Sequence, residues 1–143
     1  MNAARALVAG LIATAAMTAL LLIEPSIGLP SIAVGQILSS SLGLASARLA
    51  AGPALGWLIH FIIGALLALL YAAVFERRLP GGELARGLIY GALVFVAAQL
   101  LFMPLVGGGV FSRGDGQLLT GSLLGHLVYG GVTGWIYGGP AAA

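Results

Sequence analysis

Four stretches of this sequence, residues 6–23, 56–75, 87–103 and 118–137, run without a formal charge for about the 17–25 residues a helix needs to cross the hydrocarbon core of a bilayer. They take up most of the 143 residues and leave no room for a separate soluble domain. With 60% hydrophobic and 7% charged residues, the chain has too little polar surface to cover a soluble fold. The expected fold class is therefore all-α integral membrane, a four-transmembrane-helix bundle forming a single domain over residues 1–143.

The few charges are informative by position. There are six arginines and no lysine, too few and too scattered for a nucleic-acid surface. Arg5 precedes the first stretch, Arg77 and Arg78 follow the second, and Arg86 precedes the third; the other two connections carry only Arg48 and Arg113. The positive-inside rule then puts both termini on the cytoplasmic side of the membrane. The first stretch resembles a secretory signal in following a charged residue. However, its apolar run is longer than a signal core and no small-residue cleavage site closes it, so it reads as a retained helix. The absence of cysteine excludes disulfides and thiolate metal sites.

Glu24 and Pro25 stop the first helix, and Glu24 reads as a solvated carboxylate at headgroup level. Residues 31–50 are apolar enough to suggest a fifth span, but Gln36, three consecutive serines and Arg48 favour an interfacial or re-entrant helix between spans one and two. Tyr71, Tyr137, Trp57 and Trp135 fall near span ends, where aromatic side chains anchor a helix at the membrane interface.

An internal repeat underlies these spans. His60, Gly64 and Tyr71 recur with the same spacing as His126, Gly130 and Tyr137, and the opening from Arg5 to Gly10 resembles that from Arg86 to Gly91. Small residues four apart complete each stripe: Gly56, Gly64 and Ala68 in one, Ser122, Gly130 and Gly134 in the other, with Gly10, Thr14 and Thr18 forming a third in span one. Such stripes let helix backbones approach closely in lipid. The chain thus reads as two parallel two-helix repeats, 1–79 and 80–143, with an insertion near 31–50 in the first, related by an axis along the membrane normal.

That axis would bring His60 and His126 face to face in the outer half of the membrane. They are candidate axial ligands of a b-type haem, which is also the one metal reading of the pair, because two histidines alone make a poor zinc site. Gly64 and Gly130 would leave room for the ring, Thr18 and Gln99 would orient the imidazoles by hydrogen bonds, and Arg48 or Arg113 would meet the propionates. Met103 is a possible soft ligand. The alternative is that each histidine only fixes helix packing.

GWLIHFIIG at 56–64, MPLVGGGVF at 103–111 and GHLVYGG at 125–131 resemble a family of small four-span bacterial membrane proteins catalogued as a domain of unknown function. The likeness covers nearly the whole chain. It implies the four-helix architecture and the pairing of His60 with His126, and it supplies no activity.

No catalytic residue is assigned: Glu24, Glu76, Glu83 and Asp115 all lie at helix ends or in loops, and no nucleophile, base and orienting group can be assembled. The expected function is that of a non-catalytic membrane protein acting through helix packing, as an accessory subunit of a larger complex or a homo-oligomer. Its partners would be the lipid bilayer and other membrane-protein subunits or itself. A bis-histidine haem electron carrier or redox sensor is the alternative, and a small-solute or proton path a third.

Overall fold

The computed structural model describes residues 1–41 and 52–139, and every regular element within them is helical. Helix α1 (Ala3–Ile23) begins where the Asn2 side chain accepts the Arg5 N–H at 3.0 Å, and it gives way to a single 3-10 turn, Glu24–Ile27, that ends at Gly28 with φ +86°. Short α2 (Val34–Ser41) follows. Helix α3 (Gly52–Leu70) continues through a π turn, Tyr71–Phe75. Helix α4 (Glu83–Ala97) likewise runs through a π turn, Ala98–Phe102, into the last turn α5 (Met103–Leu105). Finally α6 (Gly116–Gly138) opens on Asp115, whose carboxylate accepts the N–H groups of Gln117 and Leu118 at 3.0 Å.

Three of these helical stretches, Ala3–Ile27, Gly52–Phe75 and Glu83–Leu105, are long and apolar enough to cross a membrane. Helix α6 matches them in length but carries Gln117, His126, three serine or threonine residues and seven glycines, which dilute its apolar character. Short α2 lies within the segment expected to form an interfacial or re-entrant helix. Residues 42–51, including Arg48, lie outside the described residues.

The four long helices form a ring in which α1 sits between α3 and α6, and α6 between α1 and α4. Glycine decides how closely they approach. A Cβ on Gly10 would stand 2.7 Å from that of Ala68 and 2.9 Å from the Gly64 carbonyl oxygen, and one on Gly64 would overlap Thr14. The Thr14 hydroxyl is meanwhile satisfied by its own helix, donating to the Gly10 carbonyl at 2.7 Å. Between α4 and α6 the backbones themselves meet: a Cβ on Gly130 would run into Gly87 and Gly91, and one on Gly91 into the His126 carbonyl. Van der Waals contact of this kind is what holds helices together in lipid, where apolar surface alone gives no driving force. The stripes foreseen from sequence are thus consumed inside the bundle.

Where α4 returns to α3 the spacing is wider and is filled by tyrosine. The Tyr90 hydroxyl donates to the Leu67 carbonyl and the Tyr129 hydroxyl to that of Gly64, each at 2.7 Å. Tyr90 also packs against Tyr71 and Phe75, with ring centroids 5.1 Å apart in both pairs. Tyr71 is fully buried and belongs to the core with Ala13, Met17, Leu21, Tyr90 and Tyr129. This corrects its reading as an interfacial anchor: at the π turn its ring points into the bundle. Trp135, at 67% exposure, does lie on the outside.

The start of α1 and the end of α6 lie at one end of the bundle, and arginines close the helices there. Arg5 donates to the Ile136 carbonyl at 3.0 Å and also to that of Gly139, satisfying the last turn of α6, while the Asn2 N–H donates to the Tyr137 hydroxyl at 3.2 Å. Arg86 donates to the Gly81 carbonyl at 2.7 Å and the Glu76 carbonyl at 3.3 Å, past the end of α3, and stands 3.7 Å from the Glu76 carboxylate.

Candidate functional site

At the opposite end of the bundle the interior turns polar. Gln99 is 1% exposed, and the π turn that carries it re-aims the end of α4 so that its amide is used on both sides. Its Nε2–H donates to the Ser122 hydroxyl at 3.1 Å, and its Oε1 accepts the Ser112 hydroxyl at 3.0 Å. One helical turn further along α6, His126 Nδ1 lies 2.7 Å from the Ser122 carbonyl oxygen. Since a carbonyl only accepts, Nδ1 carries the proton and the lone pair of the neutral ring is on Nε2.

Ser112 reaches Gln99 from an unusual backbone. Phe111, Ser112 and Arg113 take φ values of +45°, +47° and +54°, a left-handed turn that costs L-residues roughly 1–2 kcal/mol each. The Ser112–Gln99 hydrogen bond and a ring contact between Phe111 and Phe95, centroids 6.3 Å apart, hold it there. Phe95 also touches the His126 ring at 5.9 Å. Met103 packs beneath Gly108 in this loop, and Arg113 donates to the Gly107 carbonyl at 3.1 Å.

His60 lies on the same side of α3 as Gly64. The register of α1 against α3, with Gly10 at Ala68 and Thr14 at Gly64, brings Thr18 level with it one turn on. His60 Nε2 and Thr18 Oγ1 are both buried without a hydrogen-bond partner. The His60 ring packs edge-on against Trp57 and Phe61 at 5.7 and 6.0 Å.

The expected haem slot is not formed by the residues proposed for it. The room at Gly64 is filled by Thr14, and that at Gly130 by the backbone of α4. Gln99 serves two serines, so neither it nor Thr18 hydrogen-bonds to an imidazole.

Glu24 is the residue that sequence reasoning missed. Its side chain is completely buried, not solvated, and neither carboxyl oxygen has a hydrogen-bond partner. It is laid flat on α6 at Gly121, where a Cβ would stand 2.8 Å from Oε2 and 3.2 Å from Oε1. The signal was present in the spacing. Ala13, Met17, Leu21 and Glu24 follow steps of four, four and three, a single helical stripe, and the opposing glycines, Gly125 against Met17 and Leu21 and Gly121 against Glu24, are four apart. Among the described residues no group of three His, Cys, Asp or Glu side chains gathers into a metal site.

No curated protein and no solved structure matches the chain. A family model does match, over residues 1–142, and the chain accordingly belongs to the family of unknown function DUF6789.

Proposed function

We infer that this protein is a four-span, non-catalytic membrane protein of the bacterial cytoplasmic membrane that works by packing against a further membrane helix, supplied by a second copy or another subunit. Helix α6 is the fourth span. At 23 residues it extends about 35 Å and lies in the ring among the three more apolar helices. His126, Ser122 and Thr133 face protein where a lipid-facing helix would have to do without them. Both termini lie on the cytoplasmic side, with Arg5, Arg77, Arg78 and Arg86 at that end.

The repeat reading draws support from contacts between corresponding residues. Gly10 packs against Gly64 as Gly91 does against Gly130. Arg5 closes the end of α6 as Arg86 closes that of α3. Tyr71 and Tyr137 touch each other.

The observation that carries the packing function is a groove of about 400 Å³ on the outer face of α4 and α6, lined by Leu84, Leu88, Leu124, Val128 and Trp135 with Gly131 among them. In lipid, concave apolar surface with a small residue in it is what a partner helix can fill. The chain has no cysteine, so the test is direct. Leu88→Cys and Leu124→Cys are expected to cross-link in native membranes to a second copy or a discrete membrane protein, whereas Leu66→Cys on the exposed face of α3 is not. Failure of both groove positions to cross-link, with a monomer in native mass spectrometry, would refute this reading.

A further inference from the structure

Glu24 is a carboxyl in a setting where a charge is not tolerated. It is fully buried, and both oxygens lack partners. What α6 presents to it is Gly121, which has no side chain to offer. Among the described residues no compensating charge reaches it. The ion pairs of the described residues join Glu76 to Arg77 and Arg86 at the other end of the bundle. Nearer the distal end, Arg113 is engaged with the Gly107 carbonyl, and the Asp115 carboxylate caps the first turn of α6. An unpaired buried carboxylate is far more costly than an unpaired buried carboxylic acid, because the ion loses its whole hydration while the acid loses only hydrogen bonds.

We propose that Glu24 is a proton-binding site: the carboxyl is held as the neutral acid while the 3-10 turn Glu24–Ile27 is seated on Gly121, and it releases its proton only when that turn lifts from α6. A hard metal cation is the other way to neutralise a carboxylate, but it gathers about six oxygen ligands, whereas both Glu24 oxygens stand without polar neighbours in hydrogen-bonding range. The geometry also provides for exchange. Pro25, Ser26, Ile27 and Gly28, directly after the carboxyl, are all exposed, and Gly28 at φ +86° is a natural hinge. Lifting one turn would carry Glu24 from the α1–α6 seam into the aqueous boundary. Gly121 is then the seat, small because the carboxyl lies on it.

The proposal rests on α1 being a span, which labelling of Asn2→Cys and Ser26→Cys from opposite sides of the membrane tests separately, whereas the measurement here reads the proton itself. Infrared spectra of the purified full chain at neutral pH are expected to contain a carboxylic-acid C=O band that is lost in Glu24→Gln. The other acidic side chains are an ion-paired Glu76, an exposed Glu83 and the capping Asp115, so the band is assignable. Gly121→Ala, whose methyl would press on the carboxyl, is expected to lose the band while circular dichroism stays helical. Dicyclohexylcarbodiimide, which adds covalently to protonated carboxyls in apolar surroundings, should modify Glu24 alone, and this needs no variant. Identical infrared spectra for folded wild type and Glu24→Gln, or no adduct at Glu24 in the wild type, would overturn the proposal.

Discussion

Tyr71 and Tyr137, 66 residues apart in the chain, meet edge to face inside the bundle, with ring centroids 6.1 Å apart and planes at 85°. Each stands 11 residues after the histidine of its own helix. Their hydroxyls differ: that of Tyr137 accepts the Asn2 N–H, while that of Tyr71 is buried without a partner. Tyr71→Phe should therefore be neutral or stabilising. Tyr90→Phe and Tyr129→Phe, which give up hydrogen bonds to α3 carbonyls, should each cost about 1 kcal/mol. Denaturant titration in detergent ranks the three, and a Tyr71→Phe loss as large as the others would contradict the assignment.

The α4–α6 seam has no slack, because what a Cβ on Gly130 would strike is backbone. Gly130→Ala is expected to cost about 3 kcal/mol or more as the helices are forced apart. Gly116→Ala, where nothing lies within 4 Å, should change stability by less than about 0.5 kcal/mol. Comparable unfolding midpoints for the two variants would mean that the helices are not in backbone contact.

Gln99 ties the left-handed turn at Phe111–Arg113 to α6. Gln99→Leu strands two serine hydroxyls and should destabilise by roughly 1–3 kcal/mol. The loop at 107–114 should then become cleavable by protease under conditions where the wild type is intact. Unchanged cleavage would show that the turn holds itself.

Topology is open to cysteine labelling from either side of the membrane. Pro80→Cys should react only after the cytoplasmic face is exposed, and Gln117→Cys from the outer face in intact cells. Both residues reacting from one side would remove α4 or its neighbour from the set of spans.

With Thr14 in the space at Gly64 and α4 in that at Gly130, the purified protein is expected to show no Soret absorbance even when expressed with haem precursor, and His60→Gln with His126→Gln to remain folded. A Soret band that disappears in both single variants would restore the bis-histidine cofactor and require the helices to separate.

Much of the bundle was legible because the rules that produce it are local. Charge-free runs mark the long helices, proline and the Pro80–Gly81–Gly82 turn mark their ends, and glycines four apart mark where backbones can meet. The site was less legible. The spacing of His60 and His126 singled them out, but the spacing did not say that Thr14 would take the room beside one and α4 the room beside the other. Gln99 was noticed as polar and assigned to the wrong partners, since its real ones, Ser112 and Ser122, depend on a π turn and a left-handed loop that no periodicity announces.

Composition and spacing alone determined that the chain is helical, where its long apolar helices run and which residues share a face, because a 3.6-residue period and a shortage of polar groups act within one helix at a time. Which face meets which neighbour was decided only in the tertiary structure. The stripe that ends in Glu24 can lie against headgroups or against a glycine of α6, and Tyr71 can anchor at an interface or fill a core. Those choices depend on how four helices divide the close contacts among themselves, a property no single helix carries.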